Sequence, residues 1–495
     1  MDSYFYSERF KNMLRHYEEC VRRGVPCIIP SDDYCDLAEY YDRKGRTKEA
    51  KAVLNTAIKL FPDTLEPVTM RARLSMHESG TTRWARRLLA KVTDKNDIEY
   101  VCTMAEILIR EGKMDTLDTF LCDHEQRLKA DSFATDKPAP DEISDYDDFC
   151  MQVAETLIDF NLSERARQWA ERVSDKTTTD YKEMLGRLLM CGEQYEECEQ
   201  EMNKLLDQDP FSTDYWNTLA LSQFLRGDIS QSISSCEYAL AIDPSDYVAL
   251  RNCGNGLLML GNYEEALKCY QRHTQLQPDD AIGYLFQALC YLNMGDVDEA
   301  RKLTNVGLKK QLTWSHDLCS LMIEIAETFA RMGHSDDAFA YIDEVEMLAV
   351  SDDKMRSFLN VTKGYIHLTN GDGYKARDLF INALEETGDD PDVIIRIVEA
   401  LIDNGLVETA YAMLKRLFSL CDMKHEKATQ SAVYNECYAY MALCCHALKK
   451  KREFVSNVKK AVTANSARAK DILQGIFPDD IAPEDYPGLA KDMNL

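Results

Sequence analysis

Residues 213–246, TDYWNTLALSQFLRGDISQSISSCEYALAIDPSD, are followed by 247–280, YVALRNCGNGLLMLGNYEEALKCYQRHTQLQPDD, and by 281–314, AIGYLFQALCYLNMGDVDEARKLTNVGLKKQLTW. The three lines superpose without a gap at a period of 34 residues. Trp216, Leu250 and Tyr284 share one column, Ala220, Gly254 and Ala288 a second, and Gly227, Gly261 and Gly295 a third. Ser232, Ala266 and Ala300 make a fourth, and Pro244 and Pro278 close the first two copies. A fixed period of this length, with small residues at set places, marks a helix-turn-helix unit stacked on copies of itself. In the first copy, Trp216, Leu219 and Ala220 lie on one face of a helix, because residues three and four apart are neighbours there. Gly227 stands where the chain must reverse, and a residue without Cβ tolerates the left-handed conformation that ends many helices. Ser232, Cys236 and Ala239 give a second helix its packing face, and Pro244, which has no amide donor, stops it.

The pattern resembles the tetratricopeptide repeat, and the resemblance extends outward from these copies. Segment 31–64 keeps Tyr34, Leu37, Ala38, Tyr41, Gly45, Ala50, Leu54, Ala57 and Pro62 in register. Segments 65–97, 98–131, 147–178, 179–212, 319–352, 357–390 and 391–424 follow with unequal fidelity. Segment 438–471 is degenerate, with Cys444 and Cys445 at the small places and Arg452 at the turn. The resemblance implies an all-α fold, a right-handed solenoid of stacked units, in the style of bacterial cytosolic proteins of this family. The expected organisation is a capping helix and extended linker over 1–30, repeats over 31–131, an acidic proline-containing loop over 132–146, repeats over 147–471 and a tail over 472–495. Any lobes are expected to divide near residue 140, and longer connections are expected near 315–318 and 425–437. Tyr6, Phe10, Met13, Leu14, Tyr17 and Val21 predict an amphipathic helix over 3–22, which caps the first repeat or, alternatively, serves as a dimerisation helix.

The chain of 495 residues has a formal net charge of −27, which opposes non-specific binding to nucleic acid. Basic groups such as Arg83, Arg86, Arg87 and Lys91 read as a solvated helix face. No apolar run is long enough for a membrane span. The opening residues hold Asp2, Glu8 and Arg9 where a signal peptide would be apolar, so a cytoplasmic location is expected. Seventeen cysteines, several at packing places, suggest core thiols in a reducing compartment. Cys437, Cys444, Cys445 and His446 come nearest to a metal cluster, but adjacent helical residues diverge, and no metal or other cofactor is expected. Nucleotide-binding, metalloprotease and serine-hydrolase motifs are missing, and Cys253-Gly254-Asn255-Gly256 lies within a helix, so no catalytic residue is assigned.

By the same resemblance, first helices line a concave groove. Its expected lining is Asn217, Leu221, Phe224, Leu225, Arg251, Asn255, Leu258, Met259, Leu285, Leu289 and Leu292, mostly apolar. Asp148, Glu155 and Asp159, and later Asp392, Glu399 and Asp403, make the flanking units more acidic. Some domains of the family hold a chaperone's terminal carboxylate. Arg251 and Asn255 match the start of that clamp, but Phe286 and Glu327 interrupt it. The expected function is a non-enzymatic scaffold that takes an apolar, basic-flanked peptide or helix in the groove. The alternative is a self-associating protein, such as a homodimer, whose groove is filled by its own termini, with Ile472, Leu473, Ile476 and Phe477 as the occupying tail.

Overall fold

The computed structural model describes residues 5, 7–43, 46–79, 81–132, 140–310, 316–348, 353–424, 432–478 and 481–493. These residues form 27 α-helices and one short 3-10 helix, with no β-strand among them. The chain divides into two compact units, Met1–Ser222 and Gln223–Leu495. No helix among the described residues is long and apolar enough to cross a membrane.

In the first unit, Ser31–Arg43, Glu66–Ser79, Ile98–Arg110, Pro140–Asp159 and Thr179–Cys191 pack each on the next, as first helices of a solenoid do. The intervening second helices are Thr47–Leu60, Arg83–Leu89, Met114–Ser132 and Ser163–Ala170, and Tyr195–Leu206 completes the pair begun by Thr179–Cys191. Glu8–Arg23 precedes them, capped by the Ser7 hydroxyl and closed by Gly24 at φ 64°. Phe10, Tyr17 and Cys20 are buried on its inner face among Tyr34, Leu37 and Tyr41, while Val21 is exposed, so the buried stripe runs one residue earlier at its end than expected. Tyr6 lies outside the described residues.

The acidic loop expected over 132–146 is partly helix. Pro140 starts Pro140–Asp159, where its missing amide and fixed φ suit a first turn. The rest of that expectation, around 133–139, lies outside the described residues. The boundary between units falls at 222/223 rather than near 140 because contact continues through this region. Tyr146 Oη donates to Glu125 at 2.7 Å and Arg172 to the same carboxylate at 2.6 Å, joining Met114–Ser132 to the helices that follow.

In the second unit the 34-residue period becomes a period of bonds. Gly227, Gly261 and Gly295 have φ of 92°, 74° and 88°. The amides of Asp228, Asn262 and Asp296 then donate to the carbonyls of Gln223, Leu257 and Tyr291 at 2.8–2.9 Å. Asp246 and Asp280, also 34 apart, cap Tyr247–Met259 and Ala281–Asn293. The small-residue column reflects close approach within a repeat: a Cβ on Gly254 would lie 2.7 Å from the Tyr270 ring, and one on Gly364 only 2.3 Å from Phe380. Units without glycine at the turn place Asn161 and Glu193 in the left-handed region instead, as the frame requires. In the degenerate unit the turn is at Lys449, φ 58°, three residues before the expected Arg452.

Beyond these copies, His316–Arg331 packs on Ala281–Asn293, and Asp353–Thr369, Pro391–Asp403 and Ala432–Ala447 continue the row. The connection expected over 425–437 lies largely outside the described residues. The described part of the tail lies against the last repeat. Tyr486–Asp492 packs on Lys451–Ala464, with Phe477 stacked between Phe454 at 6.1 Å and Tyr486 at 4.1 Å.

Candidate functional site

Among the described residues, two hollows form where first helices run side by side, one in each unit. Residues one, four, eight, eleven and twelve places after the start of a repeat should face the concave side, and both hollows are lined chiefly by such residues. In the first unit a cavity of about 420 Å³ is bordered by Asp148, Met151 and Glu155 from Pro140–Asp159 and by Asp180, Glu183 and Arg187 from Thr179–Cys191. Arg187 spans Glu155 at 3.2 Å and Asp159 at 2.7 Å, and Tyr215 Oη donates to Glu183 at 2.6 Å. Burial, together with Asp145, Asp180 and Asp147, raises the Asp148 carboxyl above the usual carboxylate range.

In the second unit a cavity of about 240 Å³ is lined by Glu327, Val361, Tyr365, Arg396, Glu399, Ile402, Asp403 and Tyr440 among others. These come from four successive first helices. Tyr440 Oη donates to Glu399, and Thr362 Oγ1 donates to Glu327 at 3.3 Å. Burial pushes Glu327 up to about 7, with Arg396 and Arg331 opposing and Glu399 reinforcing the rise. Burial raises Glu399 and Asp403 as well, against Tyr440 and Arg396 for the former and Arg331 for the latter. Three carboxylates therefore face one lining guanidinium in a setting that penalises their own charge.

The expected apolar groove separates into exposed and buried parts. Leu221, Leu225 and Met259 are exposed, and Phe224, Arg251, Asn255 and Leu258 are half-buried. Asn217 is buried. Leu285, Leu289 and Leu292, expected on the groove, are instead core residues in one cluster with Leu318 and Met322. The cause is His316–Arg331, which lies against the face of Ala281–Asn293 that carries them. Tyr291, next to Leu292, is by contrast half-exposed.

The chaperone-type clamp is not assembled. Asn255 Oδ1 accepts from Tyr270 Oη at 2.7 Å, and Phe286 stacks on the Tyr270 ring at 4.9 Å. Of the basic helix face, Arg86 is engaged with Glu111 at 2.6 and 2.7 Å. Of the sixteen cysteines whose side chains are described, thirteen are buried, and Cys437, Cys444 and Cys445 sit within the core cluster of the second unit. Sequence reasoning noted Glu399 and Asp403 as acidic flanks but missed Tyr365 and Tyr440, and it met Glu327 only as a break in the clamp. Applying the groove positions to the units beginning at 319 and 357 would have found Glu327, Val361 and Tyr365. Tyr440 lies off those positions and carries no such signal.

Two family models described as tetratricopeptide repeat match the chain, at residues 34–64 and 254–309. Among curated proteins, the chain is similar to tetratricopeptide repeat protein 21B of Xenopus laevis, 22% identical over 363 residues, covering 70% of this chain and 25% of that protein. It is also similar to the STIP1 homolog of Dictyostelium discoideum, 30% identical over 86 residues, covering 17% of this chain and 15% of that protein. The chain thus spans a quarter or less of the length of these relatives. Among solved structures, yeast Tom70 aligns with a TM-score of 0.45 at 12% identity, over 93% of this chain and 96% of that one.

Proposed function

This chain is a tetratricopeptide repeat protein, and from that premise we propose that it is a non-enzymatic adaptor whose concave surface takes a peptide or helix bearing basic side chains beside apolar ones. The observation that carries the reading is the cavity of Glu327, Glu399 and Asp403. A lysine or arginine side chain entering it would restore charge to carboxyls whose ionised form burial disfavours, and low local dielectric would strengthen the pairing. The rings of Tyr365 and Tyr440 line the same cavity and offer faces for a cation. The exposed Leu225 and Met259 of the second unit supply apolar surface for the rest of such a ligand. The net charge of −27 supports a basic protein partner over nucleic acid. The many buried thiols support a reducing, cytosol-like setting.

The test is fluorescence anisotropy of the full chain against two peptides of one apolar sequence, flanked by lysines in one and by glutamates in the other. The lysine-flanked peptide should bind more tightly and weaken as salt rises. Glu399→Gln with Asp403→Asn should erase the preference. Equal binding of both peptides, or a preference that survives in the variant, would discard the reading. Exposed Leu225 and Met259 favour a second reading, self-association through this surface. Sedimentation over a concentration series should then show a dimer that Met259→Asp dissociates.

A further inference from the structure

The geometry points to a zinc-type metal site at the end of the first helix, made by His16, Cys20 and Cys27. The sequence pattern is H-x3-C-x6-C. Spacing by four on Glu8–Arg23 brings His16 and Cys20 to one face, one turn apart. Gly24 then turns left-handed at φ 64°, and the Val25 amide closes the turn on the Cys20 carbonyl at 3.1 Å. This reversal carries Cys27 back alongside the helix. Tyr34 Oη fixes it there by donating to the Cys27 carbonyl at 2.7 Å.

The three ligand atoms lie within 4.8 Å of one another, and Cys20 Sγ and His16 Nε2 are 3.9 Å apart. Zinc–sulfur bonds of about 2.3 Å and zinc–nitrogen bonds of about 2.0 Å in tetrahedral array put donor atoms about 3.5–3.8 Å apart. The pair on the helix is already near that spacing, and the third ligand needs an adjustment of rotamer scale. Two thiolates and a neutral imidazole balance a divalent ion, which suits a place where both cysteines are buried. His16 is exposed, so the ion has a path in and the fourth position opens to water. A soft sulfur and imidazole set favours zinc over magnesium or calcium. The bound ion would staple the last turn of the capping helix to the extended segment leading into the first repeat.

The experiment uses the full chain, reduced under inert gas, stripped with a chelator and titrated with zinc(II) against a chromophoric competitor, then with cobalt(II). The parent should take up one tight equivalent. Cobalt should show thiolate-to-metal charge transfer and the intense visible bands of a tetrahedral ion. His16→Ala removes an exposed side chain, so its helicity should match the parent while its affinity falls at least tenfold. Cys27→Ser should lose the equivalent and the charge-transfer band. The remaining cysteines are common to all samples, so the difference between parent and variant reads this site. His16→Ala binding as tightly as the parent, or no tight equivalent in the reduced parent, would overturn the assignment.

Discussion

Met259 and Leu292 stand one place apart in the groove register of adjoining repeats, yet Met259 is 63% exposed and Leu292 only 2%. Leu225, which shares the register place of Met259, is 47% exposed. Part of the difference lies within the helices Tyr247–Met259 and Ala281–Asn293, since one place turns a side chain by about 100°: Asn293, at the place of Met259, is exposed, and Leu258, at the place of Leu292, is only half-buried. The further step from a half-buried Leu258 to a buried Leu292 arises because His316–Arg331 packs directly on the second of them. Which face of a repeat is surface is therefore set in part by the neighbour, whereas the fit inside a repeat is set by the repeat's own small and large residues.

Charge separates the two positions most directly. Leu292→Asp places an unpaired carboxylate in the core and should cost about 4 kcal/mol or more. Met259→Asp should change stability by no more than about 0.5 kcal/mol. Urea melts of the two variants measured side by side give the answer, and equal midpoints would show that the two positions are equally buried.

Contacts inside a repeat should be intermediate in effect. Gly364→Ala drives a methyl group toward Phe380 of the same helix pair, and over-packing of this kind costs about 1–3 kcal/mol. A melting temperature equal to the parent's would show that Phe380 yields freely.

The cavity carboxylates should report through pH. Glu327 has its folded pKa raised to about 7, above its unfolded value, so the folded state binds more protons between the two. Its contribution to stability is fully present below the unfolded pKa, near 4, and is lost as pH rises through about 7. Glu327→Gln should flatten that part of the stability profile and stabilise the protein at pH 8 by about 1 kcal/mol, allowing for the open cavity mouth. Denaturant titrations at several pH values would detect it, and a parent whose stability climbs from pH 5 to pH 8 no less than the variant's would contradict it.

The smallest effect belongs to a periodic tie between repeats. Trp216 Nε1 donates to the Pro210 carbonyl at 3.0 Å and Tyr284 Oη to the Pro278 carbonyl at 3.2 Å, the same six-residue reach. Tyr284→Phe should cost about 0.5 kcal/mol, measurable as a slight fall in urea midpoint.

The repeat itself was legible because it is local chemistry. Turn glycines act within one turn and small-residue columns within one helix pair, and Gly227 and Gly254 carry out those roles in the structure. The burial of Leu285, Leu289 and Leu292 was not legible, since it depends on a helix that begins at His316 beyond the regular copies. The turn at Lys449 escaped because a non-glycine residue in the left-handed region leaves no mark in composition. Most of the second-unit cavity stands at groove positions, while Arg396, Ala400 and Tyr440 reach it from outside them. The His16, Cys20 and Cys27 cluster needed the turn at Gly24, because Cys27 belongs to no helical spacing.

The two capping aspartates have a consequence for how such a gene can change length. Asp246 and Asp280 each hold the first amides of the helix that follows. Excising Tyr247–Asp280 in frame would join Asp246 to Ala281 and leave a capped helix start at the seam, and duplicating the same stretch would do likewise. An indel that is not a whole number of repeats would place a different residue at the seam and rotate the next helix by roughly 100° per residue of error. Recombination between copies is thus tolerated in steps of a whole repeat, and the chain can grow or shrink by units without redesign of its joints.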